Sequence, residues 1–259
     1  MTDALIVPLD GSDLSETAIP VAEQLGQGLG ATITLLTSGW GSNVTDLDGY
    51  LSANAAMLNA PCTTVVIGDT FPATAIVDAI HAPSDVVVMA THGRSGIGRA
   101  LLGSVAEDLM KRVDNPVVLI GPNATADRSL TGGTLLVTTD GSPRSAMILP
   151  TASRFAKALE LQVIVVTVGS PGAEDDELLR AAAASVGFFR SEGGEATHQH
   201  LVGTDVPGSI VALAEQIPAS LLAMTTHGRG GFGRTALGST TMRVVHRGPC
   251  PVIVERSRN

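Results

Sequence analysis

Two glycine-rich stretches hold the residues of this chain best suited to chemistry. Residues 91–104, THGRSGIGRALLGS, return as residues 226–239, THGRGGFGRTALGS, with ten of fourteen positions identical. Glycine lets the backbone approach a ligand closely and adopt positive φ. Each stretch follows an apolar run and ends in Gly103-Ser104 or Gly238-Ser239, just before a helical pattern. The free N–H groups and positive dipole end of such a helix attract phosphate. A serine hydroxyl there can cap the helix and donate to a phosphate oxygen. These are the parts of a polyphosphate cradle, present twice.

A second repeated pair is Asp10-Gly11-Ser12 and Asp140-Gly141-Ser142, each directly after the first apolar run of its half. A carboxylate at that place suits a ribose hydroxyl or a base amino group. The plainer reading is an Asx turn, in which the carboxylate caps its own backbone two residues on. No G-x-x-x-x-G-K-[ST] occurs, and no lysine follows the terminal glycine, so this is not a Walker A loop. A dinucleotide fingerprint would follow the first strand, where Asp-Gly-Ser stands instead. His92 and His227 have no nucleophile with its own orienting partner beside them, which favours a hydrogen-bonding prop over a catalytic base. Arg94 and Arg229 follow the glycine, either within reach of a terminal phosphate or on the surface. His198 and His200 alternate along one strand as two metal donors without a third, which favours a solvated strand face.

These residues sit at matching places in a duplicated chain. Asp140 follows Asp10 by 130 residues, and "TITLLTS" is matched by "QVIVVTV" at the same offset. His227 follows His92 by 135, so the second half carries five extra residues between its second and third strands. "AEDDELL" in that insertion reads as an acidic helix start. The stretch "GPNATADRSLTGG" is turn-rich and aperiodic, which places the domain boundaries at 1–122 and 133–259. Each half offers five short, β-branched, nearly continuous apolar runs alternating with helical stretches. That pattern predicts a doubly wound, mostly parallel five-stranded sheet with helices on both faces. Ser12 or Ser15 is expected to cap the first helix, with Pro20 and Pro150 kinking it or marking its limits.

Bulk composition narrows the partners. With 44% hydrophobic and 16% charged residues the chain reads as globular. A formal net charge of −9 argues against a nucleic-acid backbone as partner. No apolar run approaches the roughly 20 residues of a membrane span, and the first residues lack the basic start of a secretory signal. Cytoplasmic location is the expectation. Cys62 and Cys250 fall at non-equivalent places and read as small apolar side chains in a reducing compartment.

With these residues in place, the chain resembles the universal stress proteins in their tandem two-domain form. The family's ATP-binding pattern is G-x-x-G, nine residues, then G-[S/T]. Gly93 to Gly103 and Gly228 to Gly238 each enclose nine residues. The first glycine of the pattern is replaced by Ala90 and Thr225. Val168 matches the family's valine at the end of strand two, where the first half has Ser38. Pro8 is kept and its counterpart is Thr138. The resemblance implies two tandem Rossmann-like, adenine nucleotide α-hydrolase-like domains. It implies adenine and ribose contacts at Pro8, Asp10, Met89 and Ala90, and at Asp140, Val168, Met224 and Thr225. It implies phosphate contacts at Thr91, Gly93, Gly103, Ser104 and Val105, and at Thr226, Gly228, Gly238, Ser239 and Thr240. It further implies ATP with magnesium as ligand, a stress-response regulatory role and no enzyme activity beyond slow hydrolysis. The halves are expected to form a pseudo-dimer through their terminal strands; a homodimer of chains and unidentified protein partners are family expectations. The alternatives are an adenylating or ATP-hydrolysing enzyme of the related fold, and a nucleotide-free scaffold.

Overall fold

The computed structural model describes residues 4–42, 44–92, 102–125, 128–172, 175–226 and 237–256. The first half runs β1 (Ala4–Pro8), α1 (Asp13–Glu16), α2 (Ala18–Leu29), β2 (Thr32–Ser38), α3 (Leu47–Ala55), β3 (Cys62–Ile67), α4 (Pro72–Asp78), β4 (Val86–Ala90), α5 (Ser104–Arg112) and β5 (Val117–Ile120). The second repeats the order: β6 (Thr134–Thr138), α6 (Pro143–Ala146), α7 (Leu149–Ala158), β7 (Gln162–Gly169), α8 (Asp176–Ser191), β8 (Ala196–Val202), α9 (Val206–Gln216), β9 (Leu221–Thr225), α10 (Ser239–Arg247) and β10 (Val252–Glu255). The five extra residues of the second half fall in the segment that carries α8, which has 16 residues where α3 has 9.

The β-branched runs form one ten-stranded sheet in the order β3-β2-β1-β4-β5-β10-β9-β6-β7-β8. Strands are parallel within each half, and β5 pairs antiparallel with β10 through Val252↔Leu119, Ile253↔Val118 and Val254↔Val117. The expected pseudo-dimer through the terminal strands is therefore a continuous ladder, and it covers two edges that would otherwise be exposed. An antiparallel join also points the carboxyl ends of the two strand sets in opposite directions. In each half the chain moves outward from the first strand to the third, then returns to the other side of the first. Ligands of open α/β sheets bind at such a switch point, here between β1 and β4 and between β6 and β9.

Successive side chains of a strand face opposite sides, and both sides are covered. Leu5 and Val7 pack with the helical face of Leu25, Phe155 and Leu159, whereas Ile6 packs with Leu109, Ile210 and Val244 on the other. Each cluster draws on both halves, so the core runs uninterrupted across the join. The first helical stretch breaks at Thr17, with Pro20 in the opening turn of α2 and Pro150 at the corresponding place in α7. The prolines thus mark helix starts, where a missing N–H is harmless. Ser12 accepts from the Ser15 N–H and is the N-cap of α1.

Cys250 is buried and desolvation pushes its thiol up to about 12, while Cys62 is half-buried with its thiol also raised by burial. Because the thiolate is the reactive form, a small alkylating reagent should label Cys62 slowly and leave Cys250 untouched. Two labels appear only after denaturation, and mass spectrometry counts them; rapid double labelling of the folded chain contradicts the buried position.

Candidate functional site

Each switch point opens into a cavity. The one beside β1 and β4 has a volume of about 380 Å³ and is lined by Pro8, Asp10, Met89, Ala90, Thr91, Gly103, Ser104 and Val105. All of the first-half site residues named from sequence line it, apart from Gly93, which lies outside the described residues. The counterpart beside β6 and β9 holds about 240 Å³ and is lined by Asp140, Val168, Met224, Thr225 and Thr240. Thr226, Gly238 and Ser239 are not among its walls, and Gly228, with His227, Arg94 and Arg229, lies outside the described residues.

The carboxylates make the Asx turn and line the cavity at once. Asp10 Oδ1 accepts from the Ser12 N–H at 3.0 Å and from the Ser12 hydroxyl at 2.6 Å. Asp140 does the same with Ser142, at 3.0 and 2.6 Å. The intervening Gly11 and Gly141 have φ of 83° and 79°, a left-handed conformation that glycine adopts without strain. The turn thereby fixes each carboxylate at the end of its strand.

The opposite wall is the start of a helix. The Gly103 N–H donates to Thr91 O at 2.8 Å and the Gly238 N–H to Thr226 O at 2.7 Å, which holds each helix start against the end of its strand. A Cβ on Gly103 would come within 2.5 Å of that Thr91 oxygen, so the approach requires glycine. The structure corrects one expectation here. Ser104 and Ser239 are the first helical residues, and the N-caps are Gly103 and Gly238, with no side-chain cap hydrogen bond. A glycine cap has no side chain to fold back on the first-turn amides. Lys111, Arg112, His246 and Arg247 sit in the last turns, where they complement the opposite end of each dipole.

The two sites differ in detail. In the second, the Thr241 hydroxyl donates to Thr225 O at 2.9 Å, and the Thr139 hydroxyl shares a 2.8 Å hydrogen bond with that of Ser145. Their first-half counterparts by sequence offset are Ala106 and Leu9. The first cavity carries two aromatic walls that the sequence reading missed, Trp40 and Phe71. The signal was thin: a lone tryptophan two residues past the end of β2. Ile76, Val206 and Ile210 were also missed, because a helix face toward a cavity has the same apolar spacing as one toward a core.

His92 is buried, its Nδ1 lies 2.9 Å from the Thr91 hydroxyl, and its ring stands 6.3 Å from that of His246 in the other half. These contacts suit a prop. His198 and His200 are half-buried rather than solvated, which corrects the sequence expectation. Both lie within hydrogen-bond distance of the Thr167 hydroxyl, at 2.8 and 3.0 Å, and His200 Nε2 is 3.3 Å from Asp175 Oδ2. Desolvation and the neighbouring His200 hold His198 below the usual imidazole range. No cluster of three metal-donor side chains exists among the described residues, and no helix there is long and apolar enough to cross a membrane.

Comparison with known proteins places this arrangement. The model of the universal stress protein family matches residues 42–121 and 133–256. A universal stress protein of Mycobacterium tuberculosis is 29% identical over 191 residues, covering 68% of this chain and 63% of its own length. The chain thus spans less than two thirds of that relative. A universal stress protein of Methanocaldococcus jannaschii is 29% identical over 135 residues, 46% of this chain and 79% of its own. The crystal structure of a universal stress protein from Archaeoglobus fulgidus shares the fold over 100% of both chains, with a TM-score of 0.73 at 23% identity. With the family model matched in both halves, and the halves joined into one sheet, the chain belongs to the universal stress protein family.

Proposed function

We propose that the chain is a cytoplasmic nucleotide-binding regulator that takes an adenine nucleotide, ATP with magnesium, in each half. The observation that carries this reading is a convergence in one cavity at each switch point. A strand-end carboxylate faces the start of a nine-residue helix whose glycine cap offers no side chain to its first-turn amides. Such amides, at the positive end of a dipole, are built for an anion. Asp10 and Asp140 would hold ribose hydroxyls, and the first-turn amides, at Ser104 in the first cavity and at Thr240 in the second, the phosphates. Asp10 is the one carboxylate among the described residues lining the first cavity. Magnesium would accordingly be held by phosphate oxygens and water, its usual habit at phosphate sites.

The same inventory supports binding over turnover. Phosphoryl transfer needs a charge clamp and a group that orients the attacking water. No lysine lines either cavity among the described residues, and Oδ1 of each strand-end aspartate is engaged by a serine. Mass spectrometry of the supernatant from heat-denatured, freshly purified protein tests the reading. An adenine nucleotide at one to two equivalents per chain is the expected result. Its absence, with no heat on titration with ATP, rejects nucleotide binding and leaves the scaffold alternative. Steady release of AMP and pyrophosphate would instead identify an adenylating enzyme.

A further inference from the structure

We infer that Trp40 and Phe71 form an aromatic clamp, one ring stacking on the base and the other bracing it edge-on, which makes the first half the tighter, purine-selecting site of an unequal pair. The inference rests on the proposed nucleotide reading and adds which half dominates and what recognises the base. Five large apolar side chains stay exposed among the described residues, and two of them meet at this one cavity. Trp40 is 50% and Phe71 40% exposed, their ring centroids lie 6.3 Å apart edge to face, and both line the cavity with Pro8 and Met89. Phe155 and Phe189 are buried in the core, whereas these two rings stay exposed side by side, the kind of clustered apolar exposure that marks a binding site.

The clamp is held in place before any ligand arrives. Ser38, which stands where Val168 stands in the other half, accepts from the Trp40 N–H at 3.1 Å and donates to the carbonyl of Thr70, the residue before Phe71. The Gly39 N–H adds bonds to the carbonyls of Ile67 at 2.8 Å and Gly68 at 3.1 Å. One hydroxyl thus ties the loop bearing Trp40 to the loop bearing Phe71, and Phe71 is itself the N-cap of α4, followed by Pro72. Preorganisation of this kind raises affinity by reducing the ordering required on binding.

Among the described residues, the second half has no equivalent. Its counterparts by sequence offset are Ser170 for Trp40 and Val206 for Phe71. Its cavity is about 240 Å³ against about 380 Å³, and ligand pockets commonly begin near 300 Å³. Aromatic stacking accepts any planar base but grows with ring area, which favours a purine.

Trp40 is the chain's single tryptophan, so its fluorescence reports the first site alone. The full chain, freed of bound nucleotide, is titrated with ATP and with inorganic tripolyphosphate by fluorescence and calorimetry. Wild type should show a tight and a weak ATP site, with Trp40 emission changing over the tight one. Trp40→Ala with Phe71→Ala should weaken the tight site between about 5- and 150-fold, the range for loss of base stacking. Tripolyphosphate affinity should stay within about twofold, and Trp40→Phe should restore most of the ATP affinity. Both side chains are exposed, so the circular dichroism and melting of the variants should match wild type. If ATP binds wild type while Trp40 emission stays flat and the double variant binds as tightly, the clamp is wrong and the nucleotide reading stands. If wild type binds no ATP at all, both fall together.

Discussion

Replacing Gly103 and Gly238 together by glutamate is expected to strip nucleotide from both halves. Each glutamate puts a carboxylate beside the first-turn amides of α5 or α10, where a phosphate is proposed to lie. Two unit charges about 4 Å apart at an effective dielectric near 20 repel by about 4 kcal/mol, which is about 1000-fold in affinity. The new side chain at 103 also has to displace the Thr91 carbonyl, 2.5 Å from where its Cβ would sit. Gly103→Ala separates the two effects: its methyl group meets the same oxygen but brings no charge. The alanine variant should lower the melting temperature and weaken binding modestly, whereas the glutamate pair should abolish it. Nucleotide retained at wild-type stoichiometry in the double glutamate variant would remove the phosphate from the helix start.

The second large effect concerns the join. Ile253 pairs with Val118 at the centre of the antiparallel ladder, and both side chains are 0% exposed. Ile253→Asp places a carboxylate among aliphatic groups, where no polar partner awaits it. Destabilisation of about 4 kcal/mol is the expected scale for such a buried charge. At this chain length that corresponds to a melting temperature lower by roughly 8–16 °C. Ile253→Leu, which keeps volume and polarity, should cost under about 1.5 kcal/mol. Thermal unfolding followed by circular dichroism distinguishes them. A fall of less than about 3 °C for the aspartate variant would mean that the halves fold without help from the shared ladder.

Much of the architecture could be read from local chemistry. Each of the ten strands falls on one of the ten runs that the sequence reading identified, with β3, β7 and β8 each extending one residue beyond. The inner strands, buried on both faces, read as near-continuous β-branched runs. The cavity residues were legible for a different reason: the Asp-Gly-Ser turns and glycine-capped helices recur at fixed offsets, and repetition separates a built feature from chance. α3 was harder. Its nine residues bury only Leu51 and Asn54, so no apolar stripe announces it, and its start depends on Asp46 accepting from the Gly49 N–H at 2.8 Å. The serine caps were misread because Gly-Ser before a helix fits either residue as the cap. The extended backbone of Gly103, with ψ of 152°, decides in favour of the glycine. Trp40 and Phe71 lie 31 positions apart, and only the pairing of β2 with β3 brings their loops together. Such a contact leaves no periodic trace in a single chain.

The reversed strand direction across the join sets where the two hollows face. One rim of the sheet bears the aromatic-walled hollow and the opposite rim bears the narrower, threonine-lined one. A flat partner resting on either rim would leave the far hollow open to solvent, so the two hollows of this one continuous sheet can be covered separately.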